Sequence, residues 1–353
     1  MIMLIYYIWL HELKGVGLKA KKGLLKYFGT PKAIYEADYL DFPPDIYLKP
    51  KEKQLLTENR NLHNAECIME KNIVYGINVT VFNDKKYKLS AGLTTNAPLV
   101  LYYKGKMYDT DEFEKYITFV GTRQATQYGK MVCNMICDET LDKKTLLISG
   151  FATGIDTQAH CKALNMGCKT YGFVANGLDM CYPAENAELL ERITESGAII
   201  STYCVGIPPR MYQFIARNKI MVDWSDEIYV IEGGSKSGAV MTGRYALDCG
   251  KKVYAVPNSI FIMSSAGCNE LIQEGAVPYL CSAETLDVNN NTKNISNIES
   301  KILKLISTIP CTIDDMKTSL NCDYDYLKKI LASMELKDYV QQKRDGKWYC
   351  LSR

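Results

Sequence analysis

Residues 227–243 read EIYVIEGGSKSGAVMTG. The apolar run is short, rich in Ile and Val, and does not alternate with polar residues, which is the composition of a strand buried on both faces. It ends in glycines, hydroxyls and a lysine, then passes into RYALDCG, a stretch of helical length, and into the further apolar run KVYAVP. A loop of this kind, set just before a helix, directs backbone N–H groups and the helix dipole at an anion. Ser237 and Gly238 are expected to start the helix, Lys236 to neutralise charge, and Ala239, Val240 and Met241 to seat it. A phosphate group fits such a site.

Working outward, the runs YITFVG, TLLISG, TYGFVANG and GAIIST share the pattern and are separated by segments of helical length. Alternating strands and helices predict an α/β fold, an extended Rossmann-like, doubly wound, mostly parallel sheet over residues 116–286, with its ligand at the carboxyl ends of the strands. Almost every strand ends in small or polar residues, as in VGTRQATQYG, ISGFATGID and VANGLDMCYP. Arg123 after VGT and Arg217 in FIARNKI add guanidinium forks suited to phosphate oxygens, with Asn218 as an orienting partner. The chain has no GxxxxGK[ST], and GxGxxG is absent after the first of these strands, which disfavours ATP hydrolysis and hydride transfer.

The flanks read differently. Residues 1–40 predict a small helical module resembling a helix-hairpin-helix, with Thr30 as an N-cap and Pro31 in the first turn. Six lysines and no acid lie from Lys14 to Lys32, around the glycines of GVG, and read either as a phosphate contact or as a solvated face of a packing module. Residues 41–115 read as a connector packed on the central domain, and the polar stretch DVNNNTKNISN, residues 287–297, as a linker. From 298 to 353, three helical segments and a hairpin with an Asp-Gly turn give a winged-helix pattern. Its third helix opens on Asp323 and Asp325, so protein contact is at least as well supported there as duplex contact.

Composition bounds the function. A chain of 353 residues divides into two or three domains, and 47% hydrophobic with 23% charged residues suits a large core. The formal net charge of +2 means that any nucleic-acid contact comes from local clustering. Thirteen cysteines without a CxxC pair read as reduced packing residues, Cys133 and Cys137 included, so neither a metal nor another cofactor is expected. The apolar opening MIMLIYYIWL is too short for a span and lacks a cleavage site, and a cytoplasmic protein without membrane contact is expected.

The motifs VGTRQATQYG, ISGFATGIDTQAH, NGLDMCYPAEN, FIARNKIM, SKSGAVMTGRYAL and SSAGCNELIQEGA, in this order over residues 116–280, resemble the DNA-processing protein A (DprA/Smf) family. The resemblance implies a single-stranded-DNA-binding mediator that dimerises, protects incoming DNA and loads RecA recombinase in natural transformation, with no catalytic residue. It places Gly121, Thr122, Arg123, Gly150, Arg217, Lys236, Ser237 and Gly238 in the DNA-binding pocket, with Phe214 as the base-stacking candidate and Arg210 close by. The sequence departs from the family pattern at Phe151, where a small residue or leucine is usual, and at Ala239, where the family has serine.

Two points stay open at this stage. Phe214 reads equally as a stacking platform or as core. The alternative function is a nucleotide-cleaving enzyme of the lysine-decarboxylase-like phosphoribohydrolase type, for which Asp156 with His160, or Asp179 with Glu185, would have to supply acid–base chemistry. Asp156 as a helix N-cap and YPAEN as a helix start account for these residues without it.

Overall fold

The apolar opening of the chain folds as a helix, α1 (Ile2–Glu12), with Ile8 and Leu10 fully buried. It is followed by α2 (Leu18–Phe28), α3 (Pro31–Glu36), α4 (Pro50–Glu58) and α5 (His63–Val74). The Thr30-Pro31 start of α3 forms as its residues dictate: Thr30 Oγ1 accepts from Ala33 N at 3.1 Å. These helices are too small to bury their apolar stripes alone. Ile8, Leu24, Ile34 and Leu56 instead share one cluster with the sheet residues Val100, Tyr102 and Ile199.

The computed structural model describes residues 2–43, 48–88, 94, 97–280, 297–308, 310–320, 322–336, 339–343 and 345–351. It divides into two compact units, Met1–Tyr279 and Leu280–Arg353. In the first, the helices are followed by β1 (Asn78–Val81), β2 (Val100–Gly105), β3 (Lys115–Gly121), α6 (Gln127–Thr140), β4 (Thr145–Ser149) and α7 (Ile155–Asn165). Then come β5 (Thr170–Val174), α8 (Ala187–Ser196), β6 (Ala198–Ser201), α9 (Met211–Trp224) and β7 (Glu227–Glu232). The unit closes with α10 (Gly238–Asp248), β8 (Lys252–Ala255), α11 (Ala266–Gln273) and β9 (Val277–Pro278).

The strands form one nine-stranded sheet in the order β1-β2-β6-β5-β4-β3-β7-β8-β9. From β6 to β9 every pairing is parallel, while β2 runs antiparallel to β6, and β1 to β2. The sheet therefore starts at Asn78, inside the stretch read as a connector, because β2 supplies the backbone partner that the edge of β6 requires. Every residue of β4, β5 and β6 is buried, since both faces are covered. One face carries α6 and α7, with Cys133 and Cys137 fully buried among Ile117, Phe119 and Ile155. The other carries α9, α10 and α11 through Met221, Trp224, Val240 and Leu271.

The winding sets the site. The chain runs outward from β3 through β4, β5 and β6, then returns to place β7 on the opposite side of β3. The order reverses between β3 and β7, and in open α/β sheets the crevice outside the carboxyl ends at such a switch point is where ligands bind. Among the described residues no helix is long and apolar enough to cross a membrane.

The second unit contains α12 (Asn297–Thr308), α13 (Ile313–Leu320), α14 (Tyr324–Leu336) and the antiparallel pair β10 (Val340–Gln342) and β11 (Trp348–Cys350). Ile302, Met316, Leu327, Leu331 and Trp348 form its core. Residues 287–296 of the expected linker lie outside the described residues.

Candidate nucleic-acid interface

The loops leaving β3 and β7 are tied at the switch point. Thr122 N donates to Glu232 O at 2.7 Å, and Gly121 lies against Ile155 of α7. The buried Glu232 carboxylate accepts from Thr126 N at 3.0 Å and Thr126 Oγ1 at 3.2 Å through one oxygen, and from Ser265 Oγ at 3.4 Å through the other. It fixes the entry to α6. Arg123, next to Thr122, is exposed.

Gly154 has a positive φ of 83°, and a Cβ there would strike Thr122 O. The carbonyl it would strike accepts from Ile155 N at 3.2 Å, the bond that sets the Arg123 loop over α7. Gly154→Ala is expected to cost about 1–3 kcal/mol of stability through backbone strain, with a matching fall in the urea midpoint. An unchanged midpoint would mean that the loop moves aside freely.

Gly150, just past β4, makes room for two side chains. A Cβ there would lie 2.5 Å from Arg217 Nη1 and 2.7 Å from Asp156 Oδ2. Arg217, on α9, is only 7% exposed, and its Nη1 donates to the carbonyls of Gly150 and Phe173, the latter at 2.5 Å. The guanidinium that the sequence offers as a free phosphate fork is thus first a clamp joining the ends of β4 and β5. Asp156 accepts from Ala152 N at 3.2 Å and sits within the first turn of α7, whose N-cap is Gly154, so Asp156 is not the cap residue.

Burial pushes the Asp156 carboxyl up to about 6, against the pull of Arg217. Burial likewise brings Arg217 down to about 10, opposed by Asp156. His160 shares a hydrogen bond with Thr170 Oγ1 at 2.7 Å, and burial, aided by the Arg217 charge, brings it down to about 3. Neither carboxylate–histidine nor carboxylate pair faces an open site. Asp179 Oδ1 accepts from Gly206 N at 2.9 Å in a loop, and Glu185 is exposed in the 3₁₀ turn Ala184–Asn186.

These shifts oppose one another in acid. His160 stays neutral in the folded chain while the unfolded chain takes a proton near 6.5, so stability falls as pH drops from 6.5 toward about 3. Asp156 is protonated near 6 when folded but only near 3.8 when unfolded, so stability rises as pH drops through that interval. The two should nearly cancel there. Asp156→Asn is expected to expose the His160 slope, about 1.4 kcal/mol per pH unit, in urea midpoints measured between pH 6 and 4. A flat profile for this variant would refute the cancellation.

Above these groups lies a pocket lined by Arg123, Gly150, Phe151, Val174, Tyr182 and Phe214, with Arg217 at its base. The Phe214 ring is half-buried and belongs to none of the apolar clusters found among the described residues. Its centroid lies 5.7 Å from the guanidinium carbon of Arg123 and 5.8 Å from that of Arg217, with the Tyr182 ring at 6.0 Å. Tyr182 was not singled out from the sequence, although the MCYP segment after β5 places an aromatic at a strand end. Phe151 holds a left-handed φ of 59° while fully buried, and its carbonyl accepts from Asn186 Nδ2 at 3.0 Å.

The remaining candidates separate. Lys236, Ser237 and Gly238 lie at the end of β7 and do not line this pocket. Ser237 caps α10, its Oγ accepting from Val240 N at 3.3 Å, while Lys236 and Gly238 are exposed. Ala239 is buried in the core beneath. Asn218 is half-buried on α9 and lines no part of the pocket. Arg210, the N-cap residue of α9, faces a different groove together with Lys14 and Lys21.

Together these features define a doubly wound protein with an aromatic, arginine-flanked pocket at the carboxyl ends of its parallel strands β3, β4 and β5. Residues 78–290 match the family described as DNA recombination-mediator protein A, and the chain belongs to that family. It is 34% identical over 201 residues to DNA processing protein DprA of Bacillus subtilis (strain 168), spanning 57% of this chain and 67% of that one. It is 30% identical over 284 residues to Protein Smf of Synechocystis sp. (strain ATCC 27184 / PCC 6803 / Kazusa), spanning 80% of this chain and 71% of that one. The crystal structure of DNA processing protein A from Streptococcus pneumoniae superposes with a TM-score of 0.64 at 27% identity, covering 80% of this chain and 97% of that one. A structure of DNA processing protein A from Helicobacter pylori, described for its single-stranded DNA binding mode, superposes with a TM-score of 0.52 over 62% of this chain and 96% of that one. At 24% identity it supports the fold.

Proposed function

We propose that this chain binds single-stranded DNA across the carboxyl ends of its parallel strands and acts without catalysis as a cytoplasmic recombination mediator. It protects incoming strands in natural transformation, delivers them to RecA recombinase and works as a homodimer. The observation that carries the reading is Phe214, a half-exposed ring between the guanidinium groups of Arg123 and Arg217. An unstacked base offers that ring a π-face, and its phosphates meet the exposed Arg123 and Lys236; both contacts tolerate any sequence. Gly121, Thr122 and Gly150 shape the loops, and Ser237 and Gly238 present the first N–H groups of α10 to a phosphate.

Fluorescence anisotropy with single-stranded and duplex oligonucleotides tests this directly. Single strands should bind more tightly, and Arg123→Ala should reduce the slope of log affinity against log salt by roughly 0.7. Equal affinity for duplex, or steady hydrolysis of nucleoside monophosphates by the same preparation, would overturn the reading.

A further inference from the structure

The first turn of α9 has two faces. Phe214 looks into the pocket described above, while the preceding residue, Gln213, lines a separate groove between α9 and the turn joining α1 to α2. Lys14 on one wall and Arg210 on the other are exposed, as is Tyr212. Gln213 is fully buried, and neither its carboxamide nitrogen nor its oxygen has a hydrogen-bond partner. Buried amides are almost always hydrogen-bonded, so an unpartnered one lining a groove points to a ligand that completes it. The other charged groups there are committed. Lys21 Nζ donates to His11 O at 2.8 Å, His11 Nε2 lies 3.2 Å from Thr202 O, and Glu12 Oε1 accepts from Tyr102 Oη at 3.0 Å.

A carboxamide carries a donor and an acceptor side by side, the pattern that pairs with a base edge such as the N6 and N7 of adenine. Two exposed cations flank it at the groove walls, and an exposed tyrosine supplies a stacking face. We propose that this groove is a second subsite for single-stranded DNA, in which nucleotides leaving the Phe214 pocket cross the start of α9, Gln213 turns outward into the groove to pair with a base edge, and Lys14 and Arg210 hold phosphates. The proposal rests on the single-strand reading and adds a longer footprint to it.

The test uses the full chain with oligodeoxyadenylates of about six and about twenty nucleotides, lengths that bracket common single-strand footprints. Lys14→Ala and Arg210→Ala should each weaken the longer oligonucleotide roughly fivefold at about 0.1 M salt, the effect of losing one phosphate contact with a slope near 0.7. Affinity for the shorter one should not change. Gln213→Leu should weaken the longer oligonucleotide about tenfold, within the range for a paired base edge, and should leave the melting temperature equal or higher, since an apolar side chain has no unpaired amide to bury. Equal effects on both lengths, no effect on the longer one, or losses confined to duplex would overturn the groove proposal alone. Failure of the unaltered chain to bind either length would overturn the single-strand reading and the groove with it.

Discussion

Arg217→Ala is expected to lower the unfolding free energy by about 3–5 kcal/mol, since it leaves two buried carbonyls without their donor and a buried carboxyl without the nearby positive charge. Arg217 and Asp156 both lie against Gly150, and the same guanidinium satisfies the carbonyls of Gly150 and Phe173. Its removal leaves a buried carboxylate without a counter-charge and two strand ends without their donor. The loss should shrink as pH falls toward about 6, because Asp156 without the arginine takes its proton at higher pH, and below about 6 the carboxyl is protonated in both chains. Arg217→Lys should recover only part of it, because a lysine keeps the charge but not the planar fork. Urea denaturation at pH 7.5 and 5 reads both effects. An unchanged midpoint at the higher pH would show that Arg217 does not hold the strands together.

Phe214→Ala is the complementary case. Loss of a stacking platform costs roughly 1–3 kcal/mol of single-strand affinity, whereas truncating a core phenylalanine costs about 3–5 kcal/mol of stability. Phe214 is half-exposed and packs against charged and aromatic groups at the pocket wall, so the expected loss is in affinity with little change in melting temperature. Phe173, fully within the core, should show the reverse. A large stability loss for Phe214→Ala with affinity retained by the folded fraction would assign the ring to the core instead.

Much of the frame was legible along the chain because it depends on near neighbours. Non-alternating runs such as TLLIS become strands buried at every position, since only a sheet covered on both faces shelters them. Ser237 and Thr30 cap their helices because the N–H groups they satisfy lie three residues ahead. Strand ends rich in small residues pointed to the candidate site, and Arg123 and Phe214 line one pocket there.

Several assignments turned on distance in the chain. Arg217 and Gly150 are 67 positions apart, so the motif FIARNKI could not reveal that its arginine is buried against strand carbonyls. Nor could SG reveal that its glycine makes room for that arginine and for Asp156. Arg210, the N-cap residue of α9, and Phe214 stand four residues apart, yet they line different cavities because the N-terminal helices close a groove on one side of that helix. The sequence by itself determined the alternation of strands and helices, the helix starts and the small, polar strand ends of the candidate site. The tertiary structure alone decided which cations stay in solvent and which are clamps, because desolvation depends on what packs around a charge and not on its neighbours in the chain.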